Sequence, residues 1–163
     1  GLADCADGLG VREDRGHRLV VMRDPTVGTF GVLALGLWLL LMIAATSGFA
    51  RDDAWRALVA VAAVGRWAAL LHACAAAPAR ADGLGAGFSV GWAGVMIATV
   101  PALLAALVVG IGPGLTVLGS AAVVAALVTW WSRTSLGGRT GDTLGAPVAL
   151  SEAAGLTLLR GLP

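Results

Sequence analysis

Long uncharged stretches alternate with short polar ones along this chain of 163 residues. Residues 25–50 carry no charge, residues 57–79 carry one arginine and one histidine, and the fifty residues 83–132 carry no charge. A helix needs about 20 apolar residues to cross the hydrocarbon core of a bilayer. The last stretch is therefore long enough for two crossings, and we place the break at Gly110–Gly114 because Pro113 and the glycines interrupt a helix.

The pattern predicts an all-α fold, a polytopic bundle of about five membrane-spanning helices in a single domain. A polar segment at residues 1–24 precedes the helices, which we place at about 27–49, 57–78, 89–109, 115–132 and 143–160. We expect the residues at 51–56 to form a polar turn, and the glycines at 82–88 to form a loop. The last helix should be the shortest of the five.

Composition supports a membrane protein over a soluble one. Hydrophobic residues make up 58% of the chain and charged residues 13%, far from the balance of soluble domains. The net charge of +1 and the absence of a basic cluster exclude nucleic acid as an expected partner. Cys5 and Cys74 lie far apart and have no C-x-x-C partner, so neither a zinc site nor a disulfide is indicated.

The arginines are unevenly divided between the two sides of the predicted bundle. When the helices are threaded alternately through a bilayer, residues 1–24, 78–88 and 133–142 lie on one side and carry seven arginines. The opposite loops carry two, Arg51 and Arg56. Under the positive-inside rule the first side is cytoplasmic. All candidate polar motifs then face the cytoplasm.

The polar opening segment contains two aspartates with helical spacing. Asp4 and Asp7 lie three residues apart, so a helix would place both carboxylates on one face, close enough to share a divalent cation. Mg²⁺ takes one or two carboxylates together with phosphate oxygens and water. On its own, however, this spacing is more typical of a solvated acidic turn.

Further charges lie in or beside the later helices. Asp142 precedes the last predicted helix and is as well suited to cap it as to bind a ligand. Glu152 lies about three turns further on, where a carboxylate usually marks a polar site within a bundle. Arg66 interrupts an apolar helix, where it either neutralises a carboxylate such as Glu152 or binds phosphate. We interpret His72 as a buried or interfacial side chain rather than a metal ligand.

Five sequence motifs occur together and in a fixed order. They are GLADCADGLG at 1–10, RLVVMRDPTVGTFGVLAL at 18–35, GRW at 65–67, GLGAGF at 83–88 and GGRTGDTLGAPVALSE at 137–152. In this order they resemble the cobalamin synthase family, the adenosylcobinamide-GDP ribazoletransferases. The resemblance covers nearly the whole chain, and it implies two further membrane segments and an acidic position before Gly1. We therefore expect a C-terminal fragment that is inactive alone.

The resemblance implies a Mg²⁺-dependent transferase in the bacterial inner membrane, with its active site on the cytoplasmic face. Its substrates would be adenosylcobinamide-GDP and α-ribazole or the 5′-phosphate of α-ribazole, its products GMP and cobalamin or cobalamin 5′-phosphate, and an oligomer is compatible with it. The implied catalytic residues are Asp4, Asp7, Arg23, Asp24 and Asp142, of which the four aspartates would hold the metal. The implied substrate-binding residues are Arg66, Gly83, Gly85, Arg139, Thr140, Gly141 and Glu152.

Three positions depart from the family pattern. Val20 stands where an acidic residue is usual, Pro25 where a serine is usual, and Ala149 where a glutamate is common. The first departure puts a metal or arginine partner in doubt, and the last leaves the partner of Glu152 open. For Arg66 we favour phosphate, because its Gly-Arg pair belongs to the resemblance.

Two other functions remain as alternatives. A CDP-alcohol phosphotransferase also uses acidic motifs at the membrane face, but its D-G-x-x-A-R pattern is incomplete here, since Val11 stands where that pattern has Ala before Arg12. Its later G-x-x-x-D-x-x-x-D motif is absent. An ion-coupled transporter would use the charges of Arg66 and Glu152 within the membrane. It does not explain why the acidic motifs gather on one side.

Overall fold

The computed structural model describes residues 1–12 and 14–161, and these form eight α-helices. Within them the one β-type contact is an isolated parallel bridge between Pro78 and Arg139. Helix α7 runs directly into a π-helical turn, Ser132–Leu136. The helices are α1 Leu2–Gly10, α2 Arg15–Val21, α3 Thr29–Thr46, α4 Arg51–Ala75, α5 Leu84–Gly87, α6 Trp92–Leu107, α7 Ile111–Trp131 and α8 Gly141–Gly161.

Three of the described helices are long and apolar enough to cross a membrane by length and composition. They are Thr29–Thr46, Asp53–Ala75 and Ile111–Leu136, and Trp92–Leu107 is a shorter apolar helix. The predicted all-α membrane bundle is therefore confirmed. Helix α8 falls outside this apolar group, although it has 21 residues. Its position as a fifth crossing stays a prediction.

Helix α4 is the central element, since it packs against α6, α7 and α8. The core between them consists mostly of alanine and valine, and Ala60, Val64 and Ala121 have no exposed surface. A Cβ at Gly155 would lie 2.8 Å from Val61, so glycine lets α8 approach α4. Small residues at such contacts bring helix backbones together, which is how helices in a membrane gain packing energy.

Helix α3 lies at the edge of the bundle and exposes most of its apolar surface. Leu37 and Leu40 are 62% and 64% exposed. One polar contact ties the middle of α3 to α8, because the Trp38 Nε1 donates a hydrogen bond of 3.0 Å to the Ala149 carbonyl. An apolar, exposed helix of 18 residues is what a lipid-facing segment requires.

Several predicted boundaries were wrong. Helix α4 begins at Arg51, so residues 51–56 are its first turns and not a separate polar turn. The predicted loop 82–88 contains the short helix α5. The break between the two helices lies at residues 108–110 rather than at 110–114, because α6 ends at Leu107 and α7 begins at Ile111. Gly110 has a φ of 101°, which favours glycine, and Pro113 fits the first turn of α7 because no helical N–H is needed there. Helix α8 is not the shortest of the five.

Both cysteines are free, as predicted. Cys5 belongs to α1 and lies on its buried face. Burial is the largest of the causes that raise the pKa of its thiol to about 12. The thiol therefore stays protonated at neutral pH and behaves as a small apolar side chain.

Segments that are distant in sequence meet at each end of the bundle. At one end, the Ala79 N–H donates to the Arg139 carbonyl and the Arg139 N–H donates to the Ala77 carbonyl, each at 2.8 Å. At the other end, Phe49, Arg56 and Pro113 line one cavity. The three arginine-rich segments, 1–24, 78–88 and 133–142, thus gather at the same end, as the alternating arrangement of helices predicts.

Candidate active site

The start of α1 lies against the start of α8. A Cβ at Gly1 would lie 2.7 Å from the Asp142 carbonyl oxygen, and a Cβ at Gly145 would lie 3.9 Å from the Gly1 Cα. Because these glycines allow the approach, Asp4 in the first turn of α1 comes close to Asp142. Burial, and then the negative charge of Asp4, raise the pKa of the Asp142 carboxyl. This half-buried pair of carboxylates is suited to bind a cation.

The turn before Asp142 is capped by two threonines. The Thr140 N–H donates to the Thr143 Oγ1 at 2.9 Å, and the Thr143 N–H donates to the Thr140 Oγ1 at 3.3 Å. This reciprocal pair satisfies backbone donors at the start of α8, as a capping box does. The side-chain cap is therefore Thr140, which leaves the Asp142 carboxylate available for another role.

His72 of α4 supports this turn through a hydrogen bond with Thr143. It has no exposed surface, and its Nδ1 and Nε2 form hydrogen bonds with Thr129 at 2.9 Å and Thr143 at 3.0 Å. The expectation that His72 is a buried side chain is confirmed. Sequence patterns gave no indication that it would support the candidate site, because its two partners lie 57 and 71 residues away.

Arg139 fastens the same turn to the segment that follows α4. It is 5% exposed, and its guanidinium donates to the backbone carbonyls of Ala73, Ala76, Gly85 and Phe88. Such charge-assisted hydrogen bonds are stronger than neutral ones. The structure thus gives Arg139 a positioning role, and its predicted contact with substrate stays a prediction.

Gly83 and Gly85 were also predicted to bind substrate. Gly83 has a φ of 89°, which favours glycine. Gly85 is buried against Thr140, and a Cβ at Gly85 would lie 2.9 Å from the Thr140 Cα. Glycine at 85 therefore permits the close approach of two backbone segments. Gly141 is the first residue of α8 and lies beside Asp142. Substrate contact by these residues stays a prediction.

Asp7 binds the start of α3. Its carboxylate accepts hydrogen bonds from the N–H groups of Gly28 at 2.9 Å and Gly31 at 2.8 Å. A Cβ at either glycine would lie within 2.5 Å of this carboxylate, so glycine is required for the contact. The predicted helix carrying Asp4 and Asp7 is present as α1, but the two carboxylates have different neighbours.

Asp24 and Arg23 lie on the exposed connection between α2 and α3. The Asp24 carboxylate accepts hydrogen bonds from the Thr26 N–H and hydroxyl, which hold its pKa below the usual value. Arg23 pairs with Asp82, and this contact lowers the pKa of the Asp82 carboxyl. Asp7 and Asp24 line the same cavity, of about 540 Å³.

The four predicted metal ligands do not form one cluster, because Asp4 lies near Asp142 while Asp7 and Asp24 line a cavity beside α3. Among the described residues, no group of three or more His, Cys, Asp or Glu side chains is arranged to hold a metal ion. Mg²⁺ needs only one or two carboxylates when phosphate and water complete its ligands. Asp4 with Asp142 meets that requirement best, since the negative charge of Asp4 acts on the partly buried Asp142 carboxyl and raises its pKa, after the larger effect of burial. The metal site stays a prediction.

Arg80 is a candidate that sequence reasoning missed. It is partly buried, forms no hydrogen bond or ion pair with another described residue, and acts electrostatically on both Asp82 and Asp142. It was counted among the arginines of the polar side, but nothing in its local sequence set it apart. An unpaired guanidinium near two carboxylates is suited to bind a phosphate group.

Arg66 of α4 and Glu152 of α8 form an ion pair in which the Arg66 side chain is 64% exposed and the Glu152 side chain 17% exposed. The Arg66 Nη1 lies 2.7 Å from the Glu152 Oε1 and also donates to the Ala62 carbonyl at 2.7 Å. Gly65 allows this contact, because its Cβ would lie 3.2 Å from the Val148 carbonyl. The structure thus shows the neutralising pair, one of the two alternatives for Arg66, and supplies a partner for Glu152. Phosphate binding by Arg66 stays a prediction.

Comparison with known proteins identifies relatives along almost the whole chain. The model of the family described as CobS, cobalamin-5-phosphate synthase, matches residues 1–160. Proteins named adenosylcobinamide-GDP ribazoletransferase are similar to it at 39% identity in Azorhizobium caulinodans, 45% in Xanthobacter autotrophicus and 39% in a Roseiflexus species. These alignments cover 94%, 90% and 98% of this chain. No solved structure matches.

The chain spans 62%, 59% and 60% of the length of these three relatives. The family match includes the opening acidic helix, the segment after α4 and the start of α8, which are the parts that meet at the candidate site. The chain belongs to the cobalamin-5-phosphate synthase family.

Proposed function

We propose that this chain carries the catalytic membrane domain of an adenosylcobinamide-GDP ribazoletransferase. In this reaction a hydroxyl of α-ribazole, or of its 5′-phosphate, attacks the cobinamide-side phosphorus of adenosylcobinamide-GDP. The new phosphorus–oxygen bond replaces the bond to GMP, which is released. The product is adenosylcobalamin, or adenosylcobalamin 5′-phosphate.

One observation carries this proposal beyond family membership. The acidic helix α1, the segment after α4 and the start of α8 come together at one end of an apolar bundle, around Asp4 and Asp142. A charged, activated substrate requires such a polar site at the edge of a membrane domain. The arginine distribution supports a cytoplasmic location for this end, on the side of the membrane where nucleotide-activated substrates are formed.

Asp4 and Asp142 are the carboxylates we assign to a Mg²⁺ ion, with Asp7 and Asp24 as a second pair. When bound, the metal would neutralise charge on the diphosphate oxygens. Arg23 belongs to the predicted catalytic set, and it already has a carboxylate partner in Asp82. Arg80 has none among the described residues and is the better candidate to bind the remaining phosphate charge.

The surrounding residues keep this site in place. Thr140 and Thr143 cap α8, so the backbone that carries Asp142 is fixed. His72 and Arg139 hold the same turn from the buried side. A preorganised arrangement of this kind lowers the cost of positioning charged groups during phosphoryl transfer.

The test is an assay of the full-length protein in membrane vesicles, with two substrate mixtures and with or without an imposed ion gradient. Adenosylcobinamide-GDP with α-ribazole should give GMP and a cobalamin product. CDP-alcohol with a second alcohol should give no CMP. An imposed ion gradient should change the amount of product formed from neither mixture. Release of CMP would instead support a CDP-alcohol phosphotransferase, and gradient-driven uptake without GMP release would support a transporter.

A further inference from the structure

A cavity of about 640 Å³ opens between the ends of α4, α6 and α7, at the end of the bundle that carries the arginine-rich segments. Its floor is apolar and includes Leu71 on α4 with Ala122 and Ala126 on α7. The cavity is separate from the carboxylate pairs of the candidate active site, and no Asp or Glu lines it within the described part of the chain. Nothing in the proposed reaction uses it.

The rim of this cavity carries a positive charge without a partner. Arg133 and Thr134 line the cavity and are both exposed. The Thr134 hydroxyl donates to backbone carbonyls of the preceding turn. Arg133 forms no hydrogen bond or ion pair with any described residue, so its guanidinium is available to an anion. Guanidinium groups bind phosphate oxygens in a bidentate manner.

The cavity has the length and polarity of one leaflet of a bilayer. Ala122 and Arg133 are eleven residues apart, or about 16 Å along a helix. Half of the hydrocarbon core is about 15 Å thick. Trp92 and Trp130 flank the cavity near its polar end and are 64% and 66% exposed. Tryptophans favour the level of the lipid headgroups, which places Arg133 at that level too.

We propose that this cavity binds a phospholipid with an anionic headgroup. The headgroup phosphate lies at Arg133, and one acyl chain lies along the alanines of α7. A soluble phosphate ion would leave the apolar floor in contact with water, and an uncharged apolar molecule would leave Arg133 without a partner. An anionic phospholipid satisfies both ends of the cavity.

The experiment uses the full-length protein in nanodiscs that contain equal amounts of phosphatidylglycerol and phosphatidylcholine. In separate samples, one of the two lipids carries a photoreactive diazirine on its acyl chain. After irradiation, mass spectrometry measures adducts on peptides that cover residues 122–134. We expect phosphatidylglycerol to label this segment more than phosphatidylcholine does. Arg133→Gln should lower that ratio by about fivefold, as expected for about 1 kcal/mol per arginine at a membrane surface.

Two further variants serve as controls. Arg51→Gln removes an exposed arginine at the other end of the bundle, and it should leave the ratio unchanged. Ala126→Leu fills the floor from an exposed position, so it should reduce the adducts of both lipids while the protein still folds. An equal ratio in the wild type and Arg133→Gln would overturn the proposal. An unlabelled wild-type segment would also overturn it, because protein rather than lipid would then cover the cavity. A third contrary result would be an Ala126→Leu variant that keeps its lipid adducts but changes the mass of its oligomer.

Discussion

The role of Asp7 can be separated into its structural and catalytic parts by one substitution, Asp7→Asn. The carboxylate has two observed partners, the N–H groups of Gly28 and Gly31 at the start of α3. It also lines a polar cavity together with Asp24. Asparagine keeps the size of the side chain but has one acceptor oxygen and no charge.

The structural loss should be small. One hydrogen bond is lost, at about 1 kcal/mol, together with a helix-end charge interaction of about 0.5 kcal/mol. The free energy of unfolding should therefore fall by about 1–2 kcal/mol, which lowers the melting temperature by a few degrees. Membrane insertion should be unaffected, because α3 remains apolar. If Asp7 also holds Mg²⁺, the loss of charge should abolish GMP release at every Mg²⁺ concentration.

Asp14 provides a matched control. It caps α2 by accepting a hydrogen bond of 2.9 Å from the His17 N–H, but it is exposed and does not line the cavity. Asparagine caps helices about as well as aspartate, so Asp14→Asn should change stability by a few tenths of a kcal/mol, and activity hardly at all. The assay is GMP release against Mg²⁺ concentration, with thermal unfolding of each variant in detergent.

Two results would refute this reasoning. If Asp7→Asn keeps its activity, Asp7 is a helix cap alone and the metal assignment at this position is wrong. If both variants lose activity equally, the loss does not come from the cavity, because Asp7 lines it and Asp14 does not.

Three other predictions follow from the same geometry. Cysteines placed at Thr134 and Asp53 should react with membrane-impermeant reagents from opposite sides, and labelling from one side would contradict the topology. At neutral pH and without metal, Asp142→Asn should raise the melting temperature, because burial and then Asp4 raise the pKa of the Asp142 carboxyl. That gain should vanish below the ordinary aspartate pKa, where both folded and unfolded chains are protonated, and a gain independent of pH would contradict it. Glu152→Gln should lower the melting temperature, because it leaves Arg66 without its carboxylate partner. The double variant with Arg66→Met should regain the lost melting temperature. An unchanged melting temperature in Glu152→Gln would contradict a stabilising role for the ion pair.

The helices could be predicted from sequence because their signal is local. The five predicted membrane helices correspond to α3, α4, α6, α7 and α8, and their alternating arrangement predicted which connecting segments gather at one end. The boundaries were less certain, because the residues at 51–56 are polar whether they form a turn or the start of a helix. Gly110 shows the same limit, since the neighbouring Pro113 is compatible with a break and also with the first turn of a helix.

The site was only partly predictable because its contacts are not local. The resemblance predicts that Asp4 and Asp142 are metal ligands, but not that Asp4 approaches Asp142 while Asp7 binds α3. That separation depends on Gly1, which contacts Asp142, and on Gly28 and Gly31 at the start of α3, which contact Asp7. These contacts join segments that are distant in sequence, so the sequence pattern does not predict them. His72 was predicted to be buried, but its supporting role at the site was missed for the same reason, because its partners come from two other helices.

The most direct test of the proposed function is the coupled release of GMP and cobalamin product by the full-length protein. Vesicles that contain the purified protein would be given adenosylcobinamide-GDP, α-ribazole and Mg²⁺, and both products would be measured by liquid chromatography. We predict that they appear in equal amounts, that chelating the metal stops both, and that Asp142→Asn forms neither. Equal product formation by wild type and Asp142→Asn, or no GMP from the wild type, would contradict the proposal that this site performs the transfer.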